Sequence, residues 1–377
     1  MKSIDDYTQL GSYAEFLEAL NAPCEHPVRF VHARESHIDH TRGVGCRDGV
    51  NIFGPGRQLV ADRPKALTRR IESVIVDGGI LMPISMTALD RDFGYLRFAS
   101  ENIVDPREIA SYDPYYVVSD KVRLGVSSRL HSELSHVDGI GIPVCGPGLP
   151  NYGHFLYDGL GVALYHAIAA GGRIRIVGQP LQGWQKEILD LLDVAHLYRP
   201  ITVPTRFKKL VLTTMQALHV SYPTRFSRSV FDFIRLKVGS SGSPTSSGER
   251  IFLTRGASTK RHMLNRSEVE KYFSGHGFQI VDPSQSTVAE QCRTFSKARF
   301  IAGEAGAGFA NLGFVDPGAV ILEVLPFNDQ WTRGACLVNG HLWHAYFPQI
   351  NADGSFTVDI LDLDRAVRSV FTPHMSL

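Results

Sequence analysis

Three short segments of the sequence combine polar side chains with small residues in patterns that can do chemistry. The first runs from Asn151 to Gly159. If it starts an α-helix, Asn151, His154 and Asp158 have i, i+3, i+7 spacing and lie within about 60° of one another. The rest of the segment is apolar, so the pattern predicts a buried helix with one polar stripe. Burying a carboxylate and an imidazole costs free energy unless the two groups pair with each other or take part in catalysis. The stripe therefore indicates either a His–Asp pair in the core or a catalytic pair.

The second segment is a turn of small residues, from Gly303 to Asn311, between a predicted strand and a predicted helix. Small side chains let a ligand reach the backbone N–H groups at a helix start, an arrangement that favours phosphate. The glycine spacing matches neither the dinucleotide-binding pattern nor the P-loop. Taken alone, this turn indicates either a tight connection or an anion site.

The third segment is a loop after a predicted strand, and it carries the cations Arg255, Lys260 and Arg261. Arginine suits bidentate recognition of phosphate, although a solvated basic loop is the plainer interpretation of this segment alone. Both this loop and the glycine-rich turn follow strands of the same predicted sheet. Because the carboxyl ends of parallel strands meet at one edge, the two together predict a diphosphate site.

The elements that must position these segments are most regular after residue 250. Apolar runs predict strands at 250–254, 278–281, 299–303 and 319–324, and helical patterns predict helices at 265–274, 287–298 and 306–314. Continuous apolar strands separated by helices are typical of a parallel sheet covered on both faces.

The predicted organisation is two Rossmann-like α/β domains with a ligand cleft between them. Residues 1–238 form an N-terminal acceptor-side domain with an irregular first part, and the glycine- and serine-rich stretch 239–249 is a flexible linker. Residues 250–350 form the C-terminal nucleotide-binding domain. Residues 351–377 are a terminal strand and helix that could pack back on the N-terminal domain.

Composition excludes several classes of protein. The 39 basic and 38 acidic residues leave a net charge of +1, which argues against a partner as highly charged as nucleic acid. The start of the chain is acidic, unlike a secretory signal, and no apolar run is long enough to span a bilayer. The five cysteines lack metal-site spacing. The D-x-D triplet at Asp90 and Asp92 is a weak metal signal, and His131 and His136 have no metal-ligand spacing.

The order of the motifs resembles glycosyltransferase family 61. The matching series starts with Asn-Tyr-Gly-His-Phe-Leu-x-Asp from Asn151, followed by a strand ending in Thr-Arg and by Lys-Arg-x-x-x-Asn. It continues with Glu-Gln, Gly-x-x-Gly-Ala-Gly-x-x-Asn-Leu and Pro-Gly-Ala-Val-x-x-Glu, and covers roughly residues 150–330. The resemblance implies a GT-B-like fold, with the nucleotide-sugar donor on the C-terminal domain and the acceptor mainly on the N-terminal one.

The resemblance also implies roles for individual residues. Carried over by position, the donor-binding residues are Arg255, Lys260, Arg261, Glu304, Gly306, Ala307, Asn311 and Glu323. The two arginines would hold the diphosphate, and Glu323 would lie near the ribose. Asp158 is the first choice of catalytic base, with His154 as its partner or substitute, and Asn151 and Tyr152 would support the acceptor. One position departs from the family, because Ala305 stands where a histidine is common and Glu304 precedes it.

The predicted function is an inverting glycosyltransferase that moves a sugar from a nucleotide-diphosphate sugar to a glycan or polysaccharide hydroxyl. The prediction includes no metal or other cofactor and no nucleic-acid partner. It places the enzyme in the cytoplasm, with possible peripheral association at the inner face of the cell membrane. Two alternatives stay open: a dinucleotide-dependent oxidoreductase with Glu323 on a ribose, and a non-catalytic sugar- or nucleotide-binding protein of the same fold.

Overall fold

The computed structural model divides the chain into two compact units. The first unit comprises Met1–Ile38 and Thr68–Val230, and the second comprises Asp39–Leu67 and Phe231–Leu377. The residues that the structure describes are 8–10, 12–22, 28–31, 52–55, 72–93, 95–96, 106–119, 124–144, 151–213, 225–239, 249–256, 261–326 and 331–374.

The regular elements are numbered in chain order. The strands are β1 (Thr8–Leu10), β2 (Val28–Val31), β3 (Ile52–Phe53), β4 (Glu72–Asp77), β5 (Ile80–Leu81), β6 (Ala88–Leu89), β7 (Tyr95–Leu96), β8 (Tyr116–Val118), β9 (Leu124–Val126), β10 (Ser135–Pro143), β11 (Ile174–Gly178), β12 (Tyr198–Pro200), β13 (Thr205–Thr213), β14 (Glu249–Leu253), β15 (Gln279–Val281), β16 (Ala298–Glu304), β17 (Val320–Val324), β18 (Leu342–Tyr346), β19 (Gln349–Ile350) and β20 (Phe356–Thr357). The α-helices are α1 (Tyr13–Ala19), α2 (Pro106–Tyr112), α3 (Ser128–Glu133), α4 (Tyr152–His154), α5 (Gly161–Ala169), α6 (Gly183–Leu191), α7 (Arg225–Val238), α8 (Arg266–Gly275), α9 (Val288–Phe295), α10 (Trp331–Asn339) and α11 (Ile360–Phe371). A π-helical segment joins α4 to α5 at Phe155–Leu160, and 3₁₀ turns occur at Ala195–Leu197, Pro283–Gln285, Ala307–Phe314 and Thr372–His374.

The second unit is built on a parallel sheet, as the sequence predicts. Its strands run in the order β15-β14-β16-β17-β18-β3, and every neighbouring pair is parallel. The central strand β17 is buried at all five positions, which explains why four of its five residues are apolar. The edge strand β3 comes from the N-terminal part of the chain, where it pairs Ile52 with Ala345.

Two helices cover one face of this sheet through a single apolar core. Side chains that alternate along the strands, such as Phe252, Ala302 and Leu322, pack with Phe273 of α8 and Phe371 of α11 in that core. The end of the chain therefore belongs to the second unit.

The chain reverses its winding direction between β14 and β16. From β14 it passes to β15 on one side, then returns across β14 to β16, β17 and β18 on the other. In doubly wound sheets, ligands bind outside the carboxyl ends of the strands at this switch point. The loops that follow β14 and β16, which begin at Thr254 and Ala305, flank that position.

The first unit contains a mixed sheet in the order β1-β2-β4-β13-β10-β11-β12. Strands β13, β10, β11 and β12 are mutually parallel, whereas β4 is antiparallel to both β13 and β2. Chain order reverses here between β10 and β13, so the carboxyl end of β10 lies at the switch point of this sheet. The next described element along the chain is α4.

At Gly161 the helical stretch that follows α4 needs a glycine, because another backbone lies against it. A Cβ on Gly161 would come within 2.5 Å of the carbonyl carbon of Phe226 and 2.9 Å of the nitrogen of Ser227, both in α7. The close neighbour at Gly161 is therefore a helix of the protein itself.

These findings confirm an α/β protein. The GT-B arrangement of two domains and the cleft between them stay a prediction, as do the domain limits drawn from the sequence. Of the predicted linker 239–249, residues 240–248 lie outside the described part of the chain. Glu249 already belongs to β14.

Candidate functional site

A buried carboxylate organises the switch point of the second unit. Glu304, at the end of β16, is 3% exposed. It accepts hydrogen bonds from Arg266 Nε at 2.8 Å and Arg266 Nη2 at 3.2 Å. The backbone N–H of Arg255 also donates to Glu304 at 3.3 Å. This one side chain therefore connects β16, the start of α8 and the loop after β14.

Arg266 makes three hydrogen bonds to two partners, and it therefore ties the loop after β14 to the end of β16. Besides the two bonds to Glu304, its Nη1 donates to the carbonyl of Gly256. Neighbouring Thr254 is also tied into the network, because its hydroxyl donates to Glu270 at 2.5 Å. Nothing in the sequence pattern singles out Arg266, since it is the first residue of an ordinary amphipathic helix and its partner lies 38 residues away.

Arg255 lies directly against the glycine-rich turn. Its Nη1 donates to the carbonyl of Ala305 at 2.7 Å, and the side chain is half-buried. Gly306 makes this contact possible, because a Cβ there would lie 2.7 Å from Arg255 Nη1. The prediction that the two segments meet at one edge of the sheet is confirmed.

Two other arginines and one carboxylate lie close enough to Arg255 to affect its pKa. Burial is the main cause of its lowered pKa, and the charge of Arg261 adds to it, with Arg266 contributing in the same direction and Glu304 opposing. Arg261 itself has a left-handed backbone, with φ of +57°, which a non-glycine residue adopts only at some cost in energy. A site in which cations repel one another gains free energy when an anion enters it.

The predicted helix after the glycine-rich turn is a 3₁₀ helix, Ala307–Phe314. Ala307 is exposed at its start. Asn311 is fully buried, and its Nδ2 donates to Gln291 Oε1 at 2.8 Å and to the carbonyl of Gly308 at 3.2 Å. In this structure Asn311 ties the turn to α9.

Glu323 is also engaged inside the protein. It is 1% exposed, and its two carboxylate oxygens accept from the hydroxyl of Thr332 at 2.7 Å and from the indole N–H of Trp343 at 2.9 Å. A ribose could reach it only after neighbouring side chains moved. Lys260, the remaining residue predicted on the donor side, lies outside the described residues.

The polar segment of the first unit has a different geometry from the predicted regular helix. Asn151 is the N-cap of α4, where its Oδ1 accepts from the backbone N–H groups of Gly153 at 2.9 Å and His154 at 3.3 Å. Asp158 falls within the π-helical segment, where hydrogen bonds run from i to i+5 and the 100° step of an α-helix no longer applies. The single polar stripe of Asn151, His154 and Asp158 stays a prediction, because the angular spacing within a π-helical segment differs from that of the regular α-helix assumed for it.

The same helix start still presents polar and aromatic groups at the switch point of its sheet. His154 and Tyr152 are both half-buried. Isolated π-helical segments occur frequently at functional sites, and this one contains Asp158 and directly follows His154.

Residues 152–322 match the family model Glycosyltransferase 61. The match confirms the resemblance drawn from the motifs and supports glycosyltransferase activity, which requires a sugar donor and an acceptor. It begins at α4 in the first unit and ends within β17 of the second, so it includes His154, Asp158 and the Arg255–Glu304 network. The search of curated proteins found no match.

The segment that matches the family model contains His154, Asp158 and most of the predicted donor residues, whereas the D-x-D triplet lies before it. Asp90 Oδ1 accepts from the backbone N–H of Asp92 at 2.9 Å in an exposed turn. Within the described part of the chain, no group of three or more His, Cys, Asp and Glu side chains is arranged to hold a metal ion. In the same part, no helix has both the length and the apolar character needed to cross a membrane.

Proposed function

We propose that this protein is an inverting glycosyltransferase that takes a nucleotide-diphosphate sugar and transfers the sugar to a glycan or polysaccharide hydroxyl. The observation that carries the proposal is the placement of Arg255 against the Gly306 turn, at the switch point of a parallel sheet and within the family match. Open α/β sheets bind ligands at that position, and the local charge suits a diphosphate.

The donor side would act mainly by electrostatics. As the sugar leaves, negative charge builds up on the diphosphate, and fixed cations stabilise it without having to reorganise. Arg255 and Arg261 are the proposed cations, and the exposed backbone at Gly306 and Ala307 would contact the phosphates. Glu304 would act from behind the site, because it fixes the backbone of Arg255 without itself facing the donor.

The acceptor side would supply the base. In an inverting transfer, a base removes the proton from the acceptor hydroxyl while that oxygen attacks the anomeric carbon opposite the leaving diphosphate. We propose Asp158 as the base and His154 as its partner or substitute. The π-helical segment supports this proposal only by its position, beside the switch point of the first sheet.

The remaining parts of the proposal concern the metal requirement and the cellular location of the enzyme. We propose that turnover needs no divalent metal, so EDTA should leave the rate unchanged. We further propose a cytoplasmic enzyme, with possible peripheral association at the inner face of the cell membrane and no nucleic-acid partner. Cell fractionation would test this location.

The direct test of the donor site is Arg255→Ala. First, a thermal-shift screen of nucleotide sugars identifies a donor, because a ligand bound only by the native protein raises its unfolding temperature. Loss of one charged hydrogen-bonding side chain should then weaken that donor by about 10- to 100-fold in calorimetry. The matched control is Arg250→Ala at the opposite end of β14, where Arg250 donates to the carbonyl of His276. Equal donor affinity in wild type and Arg255→Ala would remove Arg255 from the site.

The two alternatives have weaker support in the structure. The oxidoreductase alternative depends on Glu323 binding a ribose, and that carboxylate is buried against Thr332 and Trp343. The non-catalytic alternative differs from the proposal only in turnover. Nucleotide-sugar binding without transfer or hydrolysis would favour it.

A further inference from the structure

We infer that Tyr152 and Trp184 form an aromatic platform that holds a sugar ring of the acceptor. The inference rests on the proposed glycosyltransferase function, and it identifies Trp184 as a residue that determines acceptor binding. Trp184 lies on α6, and no motif in the sequence points to it.

The topology brings the two rings to one edge of the first sheet. Strands β10 and β11 are parallel neighbours, with Ile140 opposite Ile174. The chain enters α4 after β10 and enters α6 after β11, so both helices start at the carboxyl edge of the sheet. Tyr152 is the first residue of α4 and Trp184 the second residue of α6. This edge lies beside the reversal between β10 and β13, where α/β sheets bind ligands.

The rings touch and share a buried base. The centroid of the Trp184 ring lies 5.3 Å from that of Tyr152 and 5.3 Å from that of Phe155, with the planes inclined at 66° and 90°. Phe155 is completely buried, whereas Tyr152 and Trp184 are half-buried. The two outer rings therefore rest on the core and keep part of their surface at the edge of the sheet.

The orientation of the Trp184 ring is fixed before any ligand arrives. Its indole N–H donates to Gln182 Oε1 at 2.7 Å, and Gln182 is itself the N-cap of α6. A flat ring held in place by a hydrogen bond and two edge contacts loses little conformational freedom on binding. Rigid aromatic faces of this kind suit the C–H face of a pyranose ring, which is apolar although the rim of the sugar is polar.

The surface beside Trp184 is suited to the polar rim of a glycan. A depression of about 390 Å³ runs along α6 and is lined by Gly183, Lys186, Glu187, Asp190 and Leu191. Lys186 Nζ donates to Asp190 Oδ2 at 2.9 Å, and the remaining donors of the ammonium and acceptors of the carboxylate are of the kind that bind sugar hydroxyls. Gly183 leaves its side open, because a Cβ added there would meet no atom within 4 Å. An aromatic face next to an open depression offers room for several sugar rings, which suits an oligosaccharide better than a compact ligand.

The competing interpretation is that Trp184 only covers Phe155. The variant Trp184→Leu distinguishes a sugar-binding role from a covering role, because leucine keeps an apolar cover over Phe155 but removes the flat aromatic face. Tyr152→Leu is the second variant. Ile168→Ala is the matched control, since Ile168 is 63% exposed near the other end of the helix that starts at Tyr152.

The experiment titrates the full-length protein with short cello-, xylo-, chito- and malto-oligosaccharides while tryptophan fluorescence is recorded. Transfer kinetics are then measured with the donor found in the thermal-shift screen. We expect Trp184→Leu to raise the acceptor KM by about tenfold, with the donor KM, donor hydrolysis and unfolding temperature unchanged. Ile168→Ala should change none of these.

An unchanged acceptor KM in both Trp184→Leu and Tyr152→Leu would overturn the inference. A loss of donor affinity and stability in parallel with the rise in acceptor KM would also overturn it, because that result indicates a structural role. So would the failure of every oligosaccharide to bind to wild-type protein that hydrolyses its donor. A wild-type protein that binds no nucleotide sugar at all fails at an earlier step, and that result contradicts the proposed function itself.

Discussion

Replacing Glu304 by alanine should destabilise the second unit more than most single substitutions do. The change leaves the Arg266 guanidinium, whose side chain is only 14% exposed, without its carboxylate partner. Removing one member of a buried ion pair costs about 3–5 kcal/mol. Because Arg266 would keep its hydrogen bond to the carbonyl of Gly256, we expect a loss of unfolding free energy near the lower end of this range, at about 3 kcal/mol. That loss is a large share of the roughly 5–15 kcal/mol by which native proteins are stable.

The assay is urea unfolding followed by tryptophan fluorescence, because Trp331 and Trp343 both lie in the second unit. Arg365→Ala provides the control in the same unit. Its guanidinium lies 3.9 Å from Asp362, the side chain is 78% exposed, and its removal should cost less than about 1 kcal/mol. The double variant Glu304→Met/Arg266→Met should recover most of the lost stability, since replacing both members of a buried pair with apolar residues is often neutral. It should not recover donor affinity, because the backbone N–H of Arg255 then lacks its acceptor.

Two results would refute this reasoning. A loss of unfolding free energy below about 1 kcal/mol in Glu304→Ala would mean that the pair behaves like an exposed one. A double variant as unstable as the single one would mean that the cost arises from shape and packing at this position, independently of charge.

Two further predictions concern catalysis and pH. Asp158→Asn should abolish sugar transfer while calorimetric donor affinity stays at the wild-type value, and unaltered turnover would reject Asp158 as the base. His344 is buried in β18, and burial, with the nearby charge of His374, lowers its pKa to about 4. In the unfolded chain this histidine binds a proton below a pH of about 6.5, whereas in the folded protein it does so only below about 4. Its contribution to the unfolding free energy is therefore fully present above a pH of about 6.5 and is lost as the pH falls to about 4. His344→Gln should therefore flatten the pH dependence of the unfolding free energy over this range by about 3 kcal/mol, measured against wild type. An identical pH dependence in both proteins would show that His344 does not titrate this way.

The sequence predicts the second sheet well because local patterns determine it. Strand β17 is apolar at four of its five positions, and the Thr287–Glu290 capping box forms at the start of α9. Burial on both faces allows such a run, and a cap requires only residues within one turn. The meeting of Arg255 with the Gly306 turn follows in the same way, from the shared carboxyl edge of parallel strands.

What the sequence could not predict depends on contacts between distant residues. The role of Glu304 depends on its ion pair with Arg266, and the two residues are 38 positions apart in the sequence, so no helix or strand periodicity links them. Asn265 lies at the N-cap position of α8, and its side-chain amide exchanges hydrogen bonds with the backbone of Val358, 93 residues away. The π-helical turn at Phe155–Leu160 shifts every later side chain around the helix axis. Apolar periodicity read at 100° per residue does not reveal such an insertion.

The edge strand β3 has a consequence for how the chain reaches its native state. Its partner in β18 is made about 290 residues later, since Ile52 pairs with Ala345. At a synthesis rate of about 5–20 residues per second, Ile52 leaves the ribosome roughly 15–60 s before that partner exists. The sheet of the second unit can therefore be completed only after residue 345 has been made, although its edge strand is among the first parts of the chain to be synthesised. A fragment starting at residue 231 would expose the edge of β18, so expression of this unit alone should give aggregation unless the β3 segment is supplied with it.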